Sequence, residues 1–216
     1  MDEEAVQPVP DPPARLKPPN VVELTAGELL HRVHDRQFDG RVFNPCRSGP
    51  TRFAPIRDAH DRYIPSLYAA DTVEAAIYET ILHDVPLRAT RKSVPHGELQ
   101  DRRHSTLMVR RVLRLASLRA PDLLKWGVRR DTLIASLPTQ YRRTALWAKA
   151  VHDQFDGIDG IVWTSNLCDP DSALLLFGDR VAATDLMVTG VREGSDGSFL
   201  QNVRQAAQRS NILIAL

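Results

Sequence analysis

The stretch SLYAADTVEAAIYET, residues 66–80, changes its period in the middle. SLYAA is compact and apolar, and it reads as the end of a buried strand. From Asp71 the pattern turns helical. DTVEAAIYETILH, residues 71–83, is predicted as a helix that starts at Asp71 or Thr72 and carries Glu74 in its first turn. Glu79 then sits among Ala75, Ala76 and Ile77. Glu74 and Glu79 are five residues apart, about 140° around a 3.6-residue helix, so one carboxylate can be solvated while the other looks inward. Periodicity alone leaves two readings of Glu79 open, a solvated mid-helix glutamate or an inward-facing group.

Outward from this stretch, RVFNP (41–45) and YIPSLYAA (63–70) read as strands, separated by a loop over 46–62 rich in Gly, Pro and Arg. Upstream, TAGELLHRVHDRQF (25–38) is predicted as a helix. Thr25 and Glu28 have capping-box spacing, Leu29, Leu30, Val33 and Phe38 recur near helical spacing, and Gly40 stops it. Downstream, residues 88–104 are polar and broken by Pro95 and Gly97, which predicts a long loop. STLMVRRVLRLASL (105–118) reads as one strand, with Arg111 disturbing an otherwise apolar face. PDLLKWG (121–127) is a short helix, and residues 139–155 make a longer amphipathic one. Strands at 160–165, 173–177 and 183–191 and a closing helix at 198–210 complete the chain. This irregular mixture predicts an α+β fold, with a mixed, largely antiparallel central sheet flanked by helices. Residues 1–24 are proline-rich and read as a flexible tail, and residues 25–216 as a single domain.

With 43% apolar and 25% charged residues the chain is expected to fold around a core. A net charge of +1 gives no support to direct nucleic-acid binding. Cys46 and Cys168 have neither zinc-site spacing nor disulfide density, and no apolar run is long enough to span a membrane. A cytoplasmic protein without a metal site is the expectation. Motifs for nucleotide-cofactor folds, kinases, serine hydrolases and zinc proteases are missing.

Functional side chains gather at strand ends and adjoining loops. Tyr68 is read as ending the strand before the helix, Arg52 in GPTRF lies just before that strand, and Ser165 in IVWTSN ends another apolar strand, company that favours the inward reading of Glu79. Each also has a plain reading: Arg52 paired with Asp58 or Asp61, Tyr68 as a half-buried strand residue, Ser165 as a strand-end cap.

In order, GPTRF, LYAADTVEAAIYET, GIDGIVWTSN and ALLLFGD resemble the RES domain family over about residues 40–192. The resemblance implies a fold similar to the ADP-ribosyltransferases and a single RES-like catalytic domain. It implies a toxin of a bacterial toxin-antitoxin pair that degrades NAD at the nicotinamide-ribose bond, by phosphorolysis or hydrolysis. NAD is then a substrate rather than a cofactor, and inorganic phosphate a co-substrate. By position the roles fall on Arg52, Tyr68, Glu79 and Ser165, with Arg47 competing for the arginine role because residues 54–66 lengthen the intervening loop. Glu79 would stabilise a cationic ribose, Arg52 would bind diphosphate or phosphate, Tyr68 would offer a ring face and a hydroxyl, and Ser165 would orient substrate or Glu79. The implied partner is an Xre-type helix-turn-helix antitoxin, and a homo-oligomer is compatible with the resemblance. Two other readings share the fold: transfer of ADP-ribose to a macromolecule, and a non-catalytic regulator-binding protein.

Overall fold

The computed structural model describes residues 8–46, 49–83, 85 and 92–215. Its strands are β1 (Val21–Leu24), β2 (Leu29–Asp35), β3 (Ile56–Arg57), β4 (Tyr63–Ile64), β5 (Ser66–Ala70), β6 (Ser93–Pro95), β7 (Arg102–Val109), β8 (Leu113–Ser117), β9 (Gly160–Thr164), β10 (Ser172–Phe177), β11 (Leu186–Glu193) and β12 (Leu213–Ala215). The helices are α1 (Val73–Tyr78), α2 (His96–Gln100), α3 (Ala120–Lys125), α4 (Arg130–Leu133), α5 (Tyr141–Gln154) and α6 (Gly197–Arg209).

Eight strands form one sheet in the order β1-β8-β9-β10-β5-β2-β7-β11. Every neighbouring pair is antiparallel except β8 and β9. That parallel pair needs a crossover, and α3, α4 and α5 provide it. The α+β architecture with a largely antiparallel sheet therefore holds. At its centre SALLLF, residues 172–177, is buried at every position, as a strand covered on both faces must be.

One sheet face packs through Leu30, Leu67, Leu107, Val162 and Leu174. The opposite face is shared between two layers. Trp147, Ala148 and Val151 of α5 cover Ile161, Trp163, Ala173 and Leu175. Beside them, Ile77 of α1 and Phe199 and Val203 of α6 cover Val33 and Ala70. A cleft lies between those two layers.

Four expectations are corrected. Residues 25–38 do not form a helix. The Thr25 backbone N–H and hydroxyl do donate to the Glu28 carboxylate, each at 2.7 Å, but they close a turn at Gly27, whose φ is +98°. LLHRVHD then runs as strand β2, with Leu30, Arg32 and His34 on one face and His31 and Val33 on the other. Residues 105–118 are the end of β7 and all of β8, joined by a turn where Arg111 pairs with Asp159 at 2.9 Å and Asp185 at 3.1 Å. The loop expected over 88–104 contains β6, α2 and the start of β7 within its described residues. Of RVFNP only Asn44 pairs, as an isolated bridge to Ser66.

Within the segment read as a tail, residues 8–24 lie on the core. Val9 and Leu16 are buried, and β1 forms one edge of the sheet. The Trp147 indole donates to Pro10 O at 2.8 Å and that of Trp126 to Lys17 O at 2.9 Å. Proline lacks an N–H but keeps its carbonyl, so a proline-rich segment can lie across indoles as a row of acceptors.

Candidate functional site

β2 and β5 lie side by side in the sheet but pair at a single position, His31 opposite Ala70. Beyond it the strands part, and a cleft of about 810 Å³ opens through the divergence. That volume suits a large ligand. Arg52, Tyr68 and Glu79 all line it, together with His31, Arg32 and Tyr141.

Glu79 reaches the cleft because α1 is short. Thr72 caps the helix by accepting from the Ala75 N–H at 3.0 Å and itself donates to Asp171 at 2.6 Å. The helix ends at Glu79 rather than running to His83, and residues 80–82 continue as turns. Tyr78 is buried and donates to Ala206 O of α6 at 2.9 Å, which turns the next residue away from α6. The two carboxylates separate as their spacing permits: Glu74 pairs with Arg209 at 2.8 Å, and Glu79 faces the cleft.

Ser165 follows β9 and is fully buried. Its hydroxyl donates to Glu79 Oε1 at 2.6 Å, and the Asn166 N–H approaches the same oxygen at 3.3 Å. The Cys168 N–H donates back to Ser165 Oγ at 3.2 Å, which fixes the direction of the serine proton. Oε2 of Glu79 makes no hydrogen bond among the described residues. One oxygen of the carboxylate is thus anchored to the protein. Ser165 lies behind Glu79 rather than on the cleft wall, so its hydroxyl serves the carboxylate and not a substrate directly.

Tyr68 on β5 presents its ring to the cleft, edge-on to Trp163 with centroids 6.2 Å apart. Its hydroxyl is not a free donor. It accepts from the Phe53 N–H at 3.0 Å and lies 2.9 Å from Thr51 Oγ1, which in turn donates to Ala54 O at 3.2 Å. Burial pushes the Tyr68 pKa upward, so the phenol stays protonated. Tyr68 therefore pins the tight turn that carries Arg52.

Arg52 is 7% exposed. Its guanidinium donates to the carbonyl and hydroxyl of Ser136, each at 3.2 Å, and lies over the Tyr141 ring at 5.2 Å. The anticipated pairing with Asp58 or Asp61 does not occur, because Arg62 takes Asp58 at 2.7 Å and Arg57 takes Asp61 at 2.8 Å. Arg47, the competing arginine, lies outside the described residues.

Arg32, His31 and Tyr141 were not singled out as site residues from the sequence. Arg32 donates to Gly40 O at 2.7 Å and Val42 O at 2.8 Å, and burial lowers its pKa to about 10, so it remains a cation at neutral pH. Tyr141 reaches across to His83, 3.1 Å away, from the first turn of α5. No local signal in LLHRVHD marked Arg32 or His31, because its apolar residues at 29, 30 and 33 follow a helical rather than an alternating spacing. With Arg32, Arg52 and Arg102 set against Asp35 and Glu79, the cleft wall carries an excess of positive charge that favours an anionic ligand. Cys168, whose thiol burial raises to about 12, supplies no thiolate nucleophile.

The RES domain family model matches residues 29–200, a span that begins on β2 and ends within α6. Curated proteins give no match. Among solved structures the chain is similar to the toxin in the crystal structure of the M. tuberculosis MbcT-MbcA toxin-antitoxin complex. The two are 15% identical with a TM-score of 0.62, over 84% of this chain and 92% of the other.

Proposed function

The chain belongs to the RES domain family, and from that premise we propose that it is the toxin of a toxin-antitoxin pair and degrades NAD by cleaving the nicotinamide-ribose bond. The observation that carries this reading is the Glu79 carboxylate, tethered through Oε1 to Ser165 and Asn166, on the wall of a cleft that Arg32 and Arg52 also line. The C1′–N bond breaks with its electron pair going to the pyridinium nitrogen, so nicotinamide leaves neutral and needs no proton. Positive charge develops on the ribose C1′ and ring oxygen, and a fixed carboxylate stabilises it. Water or phosphate then bonds to C1′. Water gives ADP-ribose with release of a proton, and phosphate gives its 1″-phosphorylated form.

Ser165 fixes the orientation of Glu79, so that the charge is in place before the bond breaks. The remaining guanidinium donors of Arg52, with Arg32, suit a diphosphate or an incoming phosphate. Tyr68 supplies a ring face beside the nicotinamide and holds the Arg52 turn. The proposed partner is a helix-turn-helix antitoxin, in keeping with the toxin-antitoxin complex that the similar structure represents.

The test is to incubate the purified protein with NAD, with and without inorganic phosphate, and to follow nicotinamide and the ribosyl product. Phosphate-dependent formation of phosphorylated ADP-ribose selects phosphorolysis, and plain ADP-ribose selects hydrolysis. NAD that survives intact in both conditions refutes the reading.

A further inference from the structure

A chain of polar side chains that the proposed chemistry leaves unused crosses the sheet beside the cleft. It begins at Asn202 on α6, whose Oδ1 accepts from Arg192 at 2.8 Å. Arg192 Nε lies 3.2 Å from His104 Nδ1, and His104 Nε2 lies 3.1 Å from His31 Nδ1. Val33 and Ser105 are register partners of His104 and Arg32 across β2 and β7, so the two histidines come from adjacent strands. His104 is 1% exposed, while His31 is half-buried and lines the cleft.

The proton positions follow from one fact of chemistry. Arginine donates hydrogen bonds and never accepts them. His104 Nδ1 must therefore be the acceptor, and a neutral His104 carries its proton on Nε2. That proton points at His31 Nδ1, which must accept in turn. A neutral His31 is left with its own proton on Nε2, at the far side of the ring. Burial favours the neutral form of both rings, with the charge of Arg192 adding to the effect, and only Asp71 acts on His31 in the opposite direction. His34, also neutral and bonded to Ser105, is a further neighbour of His104. Protonating His31 at Nδ1 would set two N–H groups against each other, so the relay excludes the imidazolium as well as the other tautomer.

We propose that Arg192 and His104 are positioning residues that hold His31 as a neutral Nε2–H donor, and that this donor bonds an acceptor oxygen of the dinucleotide in the cleft. The second half rests on the NAD reading above. The first half is a property of the unliganded protein. His31 is then a fixed recognition group rather than an acid or base, since neither of its ring nitrogens can exchange a proton without undoing the relay.

The experiment records two-bond nitrogen-proton correlation spectra of the protein labelled with ¹⁵N-histidine and measures steady-state NAD cleavage in parallel. Parent protein is expected to show Nε2–H tautomers at both His31 and His104. Arg192→Met keeps an apolar chain against Phe199 but removes the donor, and is expected to admit the Nδ1–H tautomer at both rings. Arg192→Lys restores a donor and the parental tautomers. His31→Phe is expected to raise KM for NAD roughly tenfold with kcat changed far less, the effect of losing one hydrogen bond to bound substrate. A purely structural role for Arg192 would lower the melting temperature without moving the tautomer signals. An Nδ1–H tautomer at His31 in parent protein, or parental tautomers in Arg192→Met, overturns the relay. A parental KM in His31→Phe overturns the contact with substrate. A parent protein that leaves NAD intact overturns the NAD reading and the contact together, while the spectra still decide the relay.

Discussion

Glu79→Gln isolates charge from shape. The amide has the dimensions of the carboxylate, and its carbonyl oxygen can take over both bonds now made to Oε1, from the Ser165 hydroxyl at 2.6 Å and the Asn166 N–H at 3.3 Å. The amide nitrogen then occupies the place of Oε2, which has no partner among the described residues. Stability should change by no more than about 0.5 kcal/mol, a shift of roughly 1–2 °C for a chain of this length. Turnover should respond very differently. A carboxylate about 4 Å from a developing positive charge, at an effective dielectric near 20, contributes about 4 kcal/mol. Since only part of the charge has developed at the transition state, a loss of roughly 10²–10³ in kcat is expected. Nicotinamide release from NAD measures it, with thermal unfolding as the control for folding. A Glu79→Gln protein that melts like the parent and cleaves NAD within about threefold of the parental rate would refute the electrostatic role.

Other substitutions test the supports of the site. Tyr68→Phe removes the hydroxyl that joins Phe53 and Thr51, and should cost about 1–2 kcal/mol of stability and raise KM by loosening the Arg52 turn; an unchanged melting temperature and KM would contradict that role. Arg52→Lys should raise KM for NAD about tenfold or more, because an ammonium cannot reproduce the bonds to Ser136 and the contact over Tyr141; parental kinetics would remove Arg52 from the site. Removing residues 1–17 withdraws Val9 and Leu16 from the core and should lower stability by about 3 kcal/mol or more, read by urea unfolding; an unaltered midpoint would contradict their packing. Burial lowers the pKa of His34 to about 4 and that of His104 to about 3, both below the unfolded value of about 6.5. At these two groups the unfolded chain therefore binds more protons between those limits, and their contribution to stability should fall as pH drops from about 6.5 to about 3, while lowered carboxylates such as Asp58 add a further loss at the acid end. Unfolding free energy against pH measures this, and His34→Gln should flatten part of the slope.

The elements legible in the sequence were those whose pattern is set locally. The α5 and α6 helices and the apolar strands β9 and β10 carry enough period, or enough unbroken apolar residues, to be read without their neighbours. β2 was misread because its local signals are helical in kind. Thr25 and Glu28 do bond to each other, but the same pair can close a turn, and only the neighbouring β7 turns LLHRVHD into a strand. The same neighbour brings His104 to His31 across 73 residues, which no local spacing reveals. Glu79, Tyr68 and Arg52 could be named from the order of their motifs, and the structure sets all three on one cleft. The engagement of the Tyr68 hydroxyl by a turn 15 residues away could not be read, since it depends on how that turn folds back.

The single backbone pairing between β2 and β5 has a mechanical consequence. On one side stand β1, β8, β9, β10 and β5, on the other β2, β7 and β11, and the amide ladder that unifies a sheet is almost absent where they meet. Cohesion there falls to side chains and to whatever fills the gap. A molecule long enough to touch both leaves would act as a rivet, and its binding energy would add to the work of separating them. Amide exchange along Val33–Asp35 and Ser66–Tyr68 should then slow on saturation far more than exchange within β9 or β10, whose partners are already in place.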